Sequence, residues 1–175
     1  MRARRPRPPE SAADASAPRA PSGADREALM QYAFRALAAR ALSVAELRTR
    51  LLRRAANAED AESVLARVQE LGYLDDAALA RQVAGRSGVG RHRVRADLTR
   101  RGVDADTTQQ ALEVRDDDRE AQEAAALLER QLPRFLRARD PRGSAFAFLA
   151  RRGFGSGVIW QVLRQHDFAP PDDGE

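Results

Sequence analysis

Six arginines, Arg86, Arg91, Arg93, Arg95, Arg100 and Arg101, fall within sixteen residues and face one acid, Asp97, so this stretch carries a net charge of +5. Guanidinium groups at that density make an electrostatic footprint for phosphates or for an acidic protein surface, because each planar fork can form two parallel hydrogen bonds to an oxyanion. Arg91 and Arg95 lie one helical turn apart, and like charges at that spacing repel unless something compensates them. The competing reading is a solvated face whose aliphatic stems lie over the core.

The remaining candidates for chemistry are sparse. The chain has no cysteine and only two histidines, His92 and His166, far apart in sequence, which disfavours disulfides, a thiolate nucleophile and a zinc or catalytic histidine site. Asp116-Asp117-Asp118 with Glu120 lacks the glycine and the alternating ligands of a calcium loop, and reads as charge placed at a helix start. Gly153-Phe154-Gly155-Ser156-Gly157 could aim backbone N–H groups at a phosphate, but no Lys-Ser/Thr follows it, so it reads as a turn between helices. No nucleophile, base and oxyanion site assemble. The expectation is a binding protein, not an enzyme, with no cofactor and no metal.

The elements that must hold these arginines are announced by a segment that recurs three times, Leu51-Leu52-Arg53-Arg54-Ala55-Ala56, Leu98-Thr99-Arg100-Arg101-Gly102-Val103 and Leu149-Ala150-Arg151-Arg152-Gly153-Phe154. A second leucine follows at a fixed distance in each, in Val64-Leu65, Ala111-Leu112 and Val162-Leu163. Periodic self-similarity of this length means stacked supersecondary units, each too short to bury a core alone. Alanine, leucine, arginine and glutamate dominate and β-branched residues are few, so the units are helical. The expected fold is all-α: three tandem three-helix repeats, 25–72, 73–115 and 116–168, stacked into an elongated, curved array. Residues 1–24, with five prolines, and 169–175 read as disordered tails, the first basic and the second acidic.

All 30 basic residues are arginine, and the net charge of +4 is uneven, with the third repeat and its tail negative. No apolar run is long enough to span a membrane, and the amino terminus lacks the apolar core of a secretory signal, so a cytoplasmic protein without membrane contact is expected.

Within the repeats, Ser43 and Glu46 fit a capping box that starts a helix over 44–54. Further helices are expected from 91 to 101, 105 to 114, 144 to 152 and 158 to 166, with a stop or kink near Pro133. The paired arginines of the recurring block are expected to cap carbonyls at their own helix ends. Phe135, Phe146, Phe148, Phe154, Trp160 and Phe168 all fall in the third repeat and are read as its core.

Several of these segments are similar to the RecX regulatory family. The residues that carry the resemblance are Ala33-Phe34-Arg35-Ala36-Leu37, Arg40, Ser43 and Glu46-Leu47, then Leu71-Gly72-Tyr73-Leu74-Asp75-Asp76, then Arg101-Gly102-Val103 and Arg152-Gly153-Phe154. It spans about residues 28–166, and departs from the family where Ala55-Ala56 replaces a glycine and an apolar residue and where Leu79 replaces an aromatic. The resemblance implies a crescent of three three-helix repeats that binds the RecA recombinase filament on single-stranded DNA, and a monomer is expected. It further implies a regulator that lowers strand exchange, ATP hydrolysis and the coprotease activity that induces the SOS response. A stand-alone helical DNA- or RNA-binding protein is the alternative that composition and spacing leave open.

Overall fold

A computed structural model describes residues 24–166 and Phe168. Both expected tails lie outside the described residues, except Ala24. That residue is hydrogen-bonded: its N–H donates to the Arg54 carbonyl at 2.8 Å and its own carbonyl accepts from Ala56 at 3.3 Å.

The described residues form nine helices and no strand: α1 Arg26–Ala39, α2 Val44–Leu52, α3 Ala58–Glu70, α4 Asp76–Ala84, α5 Arg91–Arg100, α6 Ala105–Leu112, α7 Asp117–Phe135, α8 Pro141–Arg151 and α9 Ser156–Arg164. Their starts are written locally. Asp25, Asp75 and Asp116 cap α1, α4 and α7 by accepting the N–H three residues on, satisfying a donor that has no partner inside the helix. Ser43 and Glu46 form the expected capping box on α2.

Packing divides the helices into three sets. In each, the first helix lies mainly on the third, α1 on α3, α4 on α6 and α7 on α9, with the middle helix closing the side. Each set has its own apolar cluster. The leucine that opens each recurring block, Leu51, Leu98 and Leu149, is fully buried, and the downstream pairs Val64-Leu65, Ala111-Leu112 and Val162-Leu163 are buried as well. Burying one such side chain contributes about 1.5–3 kcal/mol, so these positions anchor every set. No helix among the described residues is long and apolar enough to cross a membrane.

The helix bounds correct the sequence reading in several places. α2, α5, α6, α8 and α9 end one or two residues earlier than expected, and α9 also starts earlier, at Ser156. α7 runs through Pro133 to Phe135 without stopping. Pro133 and Glu129, whose carbonyl loses its donor, are both exposed, while Phe135 is buried against Phe148 with ring centroids 5.4 Å apart and holds the last turn down. α8 begins at Pro141, not Ser144: proline lacks only an N–H that is unpaired at a first turn, and Asp140 supplies the cap to Gly143. The aromatics of the third set are not all core. Phe135 and Phe154 are buried, whereas Trp160 is exposed and lies against half-buried Phe146 at 5.0 Å.

Candidate functional site

The recurring block forms the joints between sets. The Arg101 carbonyl accepts from the Ser43 hydroxyl, while its guanidinium donates to the Ala41 carbonyl at 2.7 Å and to the Glu46 carboxylate at 3.0 Å. One set further on, the Arg152 carbonyl accepts from the Gly90 N–H at 2.9 Å, and its guanidinium donates to the Gly88 carbonyl at 3.1 Å. Ala41 and Gly88 each stand two residues before the cap of a middle helix, so two joints are built from the same parts. The second arginine therefore crosses to the preceding set and does not cap its own helix, which corrects the expectation for Arg101 and Arg152. In the first block no preceding set lies against Arg54 among the described residues; its guanidinium donates to the Arg50 carbonyl of its own helix end at 3.4 Å, as expected, and lies over the Tyr32 ring at 3.9 Å.

Close approach at the joints requires glycine. Gly102 and Gly153 have φ of +75° and +86°, and a Cβ on Gly153 would stand 2.4 Å from the Arg93 backbone nitrogen. The two blocks end alike, with Val103 N–H reaching back to the Leu98 carbonyl and Phe154 N–H to that of Leu149.

Glu46 links one joint to its surroundings. Burial pushes its carboxyl up, but bonds from the Arg101 side chain, the Ser43 N–H and Arg40 outweigh this and hold it below the usual carboxylate range. A depressed folded-state pKa contributes stability that is present above the unfolded value and is lost as pH falls through the folded one. Glu46→Gln is expected to cost about 1–2 kcal/mol at pH 7 and to flatten the acid limb of the stability curve, read from denaturant midpoints across pH. An acid limb as steep as that of the unmodified chain would assign the pH dependence to other carboxylates.

The structure places the six predicted arginines in two groups. Arg91 and Arg101 point into joints. Arg91 pairs with Asp117 at 2.6 Å and with Glu120 at 3.3 Å, and donates to the Arg115 carbonyl at 2.7 Å, which supplies the compensation that its spacing from Arg95 called for. Arg86, Arg93, Arg95 and Arg100 are exposed. Arg86 and Arg100 share Asp97, Arg95 reaches the Gln109 side-chain oxygen, and Arg93 has no ion-pair partner among the described residues.

These side chains join others that the sequence reading left aside. Adjoining shallow clefts, two of them about 290 and 360 Å³, run from α2 to α5 and are lined by Arg40, Arg50, Arg53, Arg86, Arg93, Arg100 and Arg101 against the two acids Glu46 and Asp97. Arg40, Arg50 and Arg53 belong to the first set and are brought to α5 by the Arg101 joint. An excess of five positive charges along one open surface attracts polyanions.

Arg115 was also missed. It is completely buried, as is Glu120, and the two approach at 3.4 Å, with Glu123 at 3.0 Å from the other end of the guanidinium. The same guanidinium donates to the carbonyls of Ala84, Arg86 and Val89, and Glu120 accepts the Arg91 N–H. Arg91 Nε and Glu120 Oε2 lie close but misaligned, an ion pair without a hydrogen bond. The legible signal was Glu120 standing in register with the buried stripe Ala124, Leu127 and Leu128 of α7. Of the aspartate run, Asp116 is the α7 cap and Asp117 the partner of Arg91.

Fold and cleft define a class first: an all-helical protein whose charged feature is an open arginine surface. Solved structures with this fold are the RecX of Lactobacillus salivarius, at a TM-score of 0.72 and 16% identity over 81% of this chain and 96% of that one, and a second regulatory protein RecX, at 0.71 and 17% over 81% and 73%. In sequence, the chain is 54% identical over 151 residues to regulatory protein RecX of Deinococcus radiodurans, covering 86% of this chain and 74% of the relative. Regulatory protein RecX of Thermus thermophilus is 36% identical over 137 residues, covering 77% and 89%. No family model matches. The chain belongs to the RecX family of regulatory proteins.

Proposed function

We propose that this protein restrains RecA recombinase filaments on single-stranded DNA, lowering strand exchange, ATP hydrolysis and coprotease activity, and so acts in DNA repair and the SOS response from the cytoplasm. The observation that carries the reading is the seven-arginine cleft across the first joint, because phosphate or an acidic protein face is what such a surface attracts. In this reading residues 25–72, 73–115 and 116–168 are repeats of one module stacked into an elongated, curved monomer. Two joints made from the same parts support it, since a contact repeated with fixed geometry propagates a regular array. Arg86, Arg93, Arg95 and Arg100 touch the filament, and Arg91 and Arg101 position them.

The direct test is RecA ATPase on single-stranded DNA with and without the chain. Arg86, Arg93 and Arg95 changed together to alanine are expected to weaken inhibition by about tenfold while leaving the melting temperature near that of the unmodified protein. Inhibition at full strength would remove these three from the interface. A stand-alone nucleic-acid binder would instead bind naked strands tightly, with log affinity falling by about 0.7 per phosphate contact for each unit of log salt.

A further inference from the structure

A second surface lies outside the arginine cleft. Helices α1 and α4 flank a groove of about 700 Å³ walled by Phe34, Leu37, Tyr73, Ala78 and Leu79, with Asp75 its one charged residue. Tyr73 is 59% exposed and Phe34 36%, their rings meeting edge to face at 5.2 Å, and Leu71 beside them is 44% exposed. Half of the six large apolar side chains exposed among the described residues thus lie on α1 and on the turn after α3 at this groove, a clustering that marks an interaction surface more than scatter does.

The groove's charge selects its occupant. No arginine lines it, so nothing there neutralises a phosphate. Asp75 caps α4 and forms no ion pair among the described residues, and Asp76 and Asp104 add negative charge nearby. Burial pushes the Asp76 carboxyl up, partly offset by the Val44 N–H and the Arg101 cation, and the charges of Asp104 and Asp75 push it in the same upward direction. A polypeptide presenting a bulky apolar side chain beside a lysine or arginine complements both features. The α1–α2 loop separates this groove from the cleft: Ala41 lines the groove, and its carbonyl takes the Arg101 guanidinium that lines the cleft.

We propose that this groove docks the recombinase protein itself, through a segment with an apolar anchor next to a basic residue, while the arginine cleft on the other side of the α1–α2 loop faces the phosphates. The inference rests on the filament-binding reading above and adds a site to it. Tyr73 and Phe34 are the anchoring pair, and Asp75 faces the partner's cation.

The test uses the full chain and three variants: Tyr73→Ala, Phe34→Ala, and Ala78→Gln, which fills the groove from an exposed helical position and removes no contact. Each is assayed for inhibition of RecA ATPase on single-stranded DNA, for binding to the naked strand, for thermal melting and for sedimentation of the free chain. Half-inhibition is expected to need about tenfold more of each variant, with melting, naked-strand binding and sedimentation as in the unmodified protein. Variants that fold and inhibit at full strength overturn the inference. A parallel loss of naked-strand binding makes the groove a nucleic-acid surface and overturns it too, and a change confined to sedimentation assigns the groove to a second copy. An unmodified chain without effect on the ATPase fails at the earlier step, removing the filament-binding reading itself.

Discussion

Arg115→Ala is expected to destabilise the protein by about 3–5 kcal/mol, because removing one partner of a buried ion pair leaves the other charged and unpaired in a low-dielectric interior. Glu120 is fully buried and would keep only the Arg91 contacts, while the carbonyls of Ala84, Arg86 and Val89 would all lose their common donor. The loss is read as a lowered denaturant midpoint. An Arg115→Met/Glu120→Leu double variant should recover part of it, since the buried acid goes with the base, but not all, because the three carbonyls stay unpaired. A functional cost should follow the structural one. Arg115 holds the loop that carries Arg86, so partial loosening there should weaken inhibition of RecA ATPase under conditions where the fold persists. A midpoint shifted by less than the equivalent of about 1 kcal/mol would mean that water reaches Glu120 and replaces the arginine.

Gly153→Ala is the second large effect. Two penalties act together at this position. Its φ of +86° costs an L residue about 1–2 kcal/mol, and the new methyl would overlap the Arg93 backbone, a crowding that costs about 1–3 kcal/mol more. Gly72→Ala separates the two: its φ is +76°, but nothing lies within 4 Å of the added atom, so it should show the strain alone. Denaturant midpoints of the two variants, compared side by side, measure the difference. Equal losses would mean that the joint between the second and third sets yields to admit a methyl group.

The first block shows the same physics from the other side. Ala55 stands where Gly102 and Gly153 stand in the later blocks, no non-glycine residue has a positive φ, and no earlier set lies against it among the described residues. Ala24 occupies the Arg54 carbonyl instead, as Ser43 and Gly90 occupy those of Arg101 and Arg152. The departure at Ala55-Ala56 noted in the sequence fits a block with no preceding set packed against it among the described residues.

Much of the local structure was legible because its causes are local. Caps act within a turn, as at Ser43 and Glu46, and the apolar spacing that buries Leu51, Leu98 and Leu149 is a property of a single helix. Helix ends were less legible. Pro133 reads as a breaker until Phe135 is seen packed on Phe148, a contact between two helices that nothing local announces.

The sequence by itself determined that this protein is helical, where its repeated block lies and that the leucines of that block turn inward, since short-range geometry and hydrophobic period suffice for these. Only the tertiary structure decided what each arginine does. Thirty identical side chains differ solely in what the fold places beside them. Arg115 meets Glu120 five residues on and the Ala84 carbonyl 31 residues back, Arg101 meets the Ala41 carbonyl 60 residues back, and Arg93 faces solvent, differences that the packing of the helices makes.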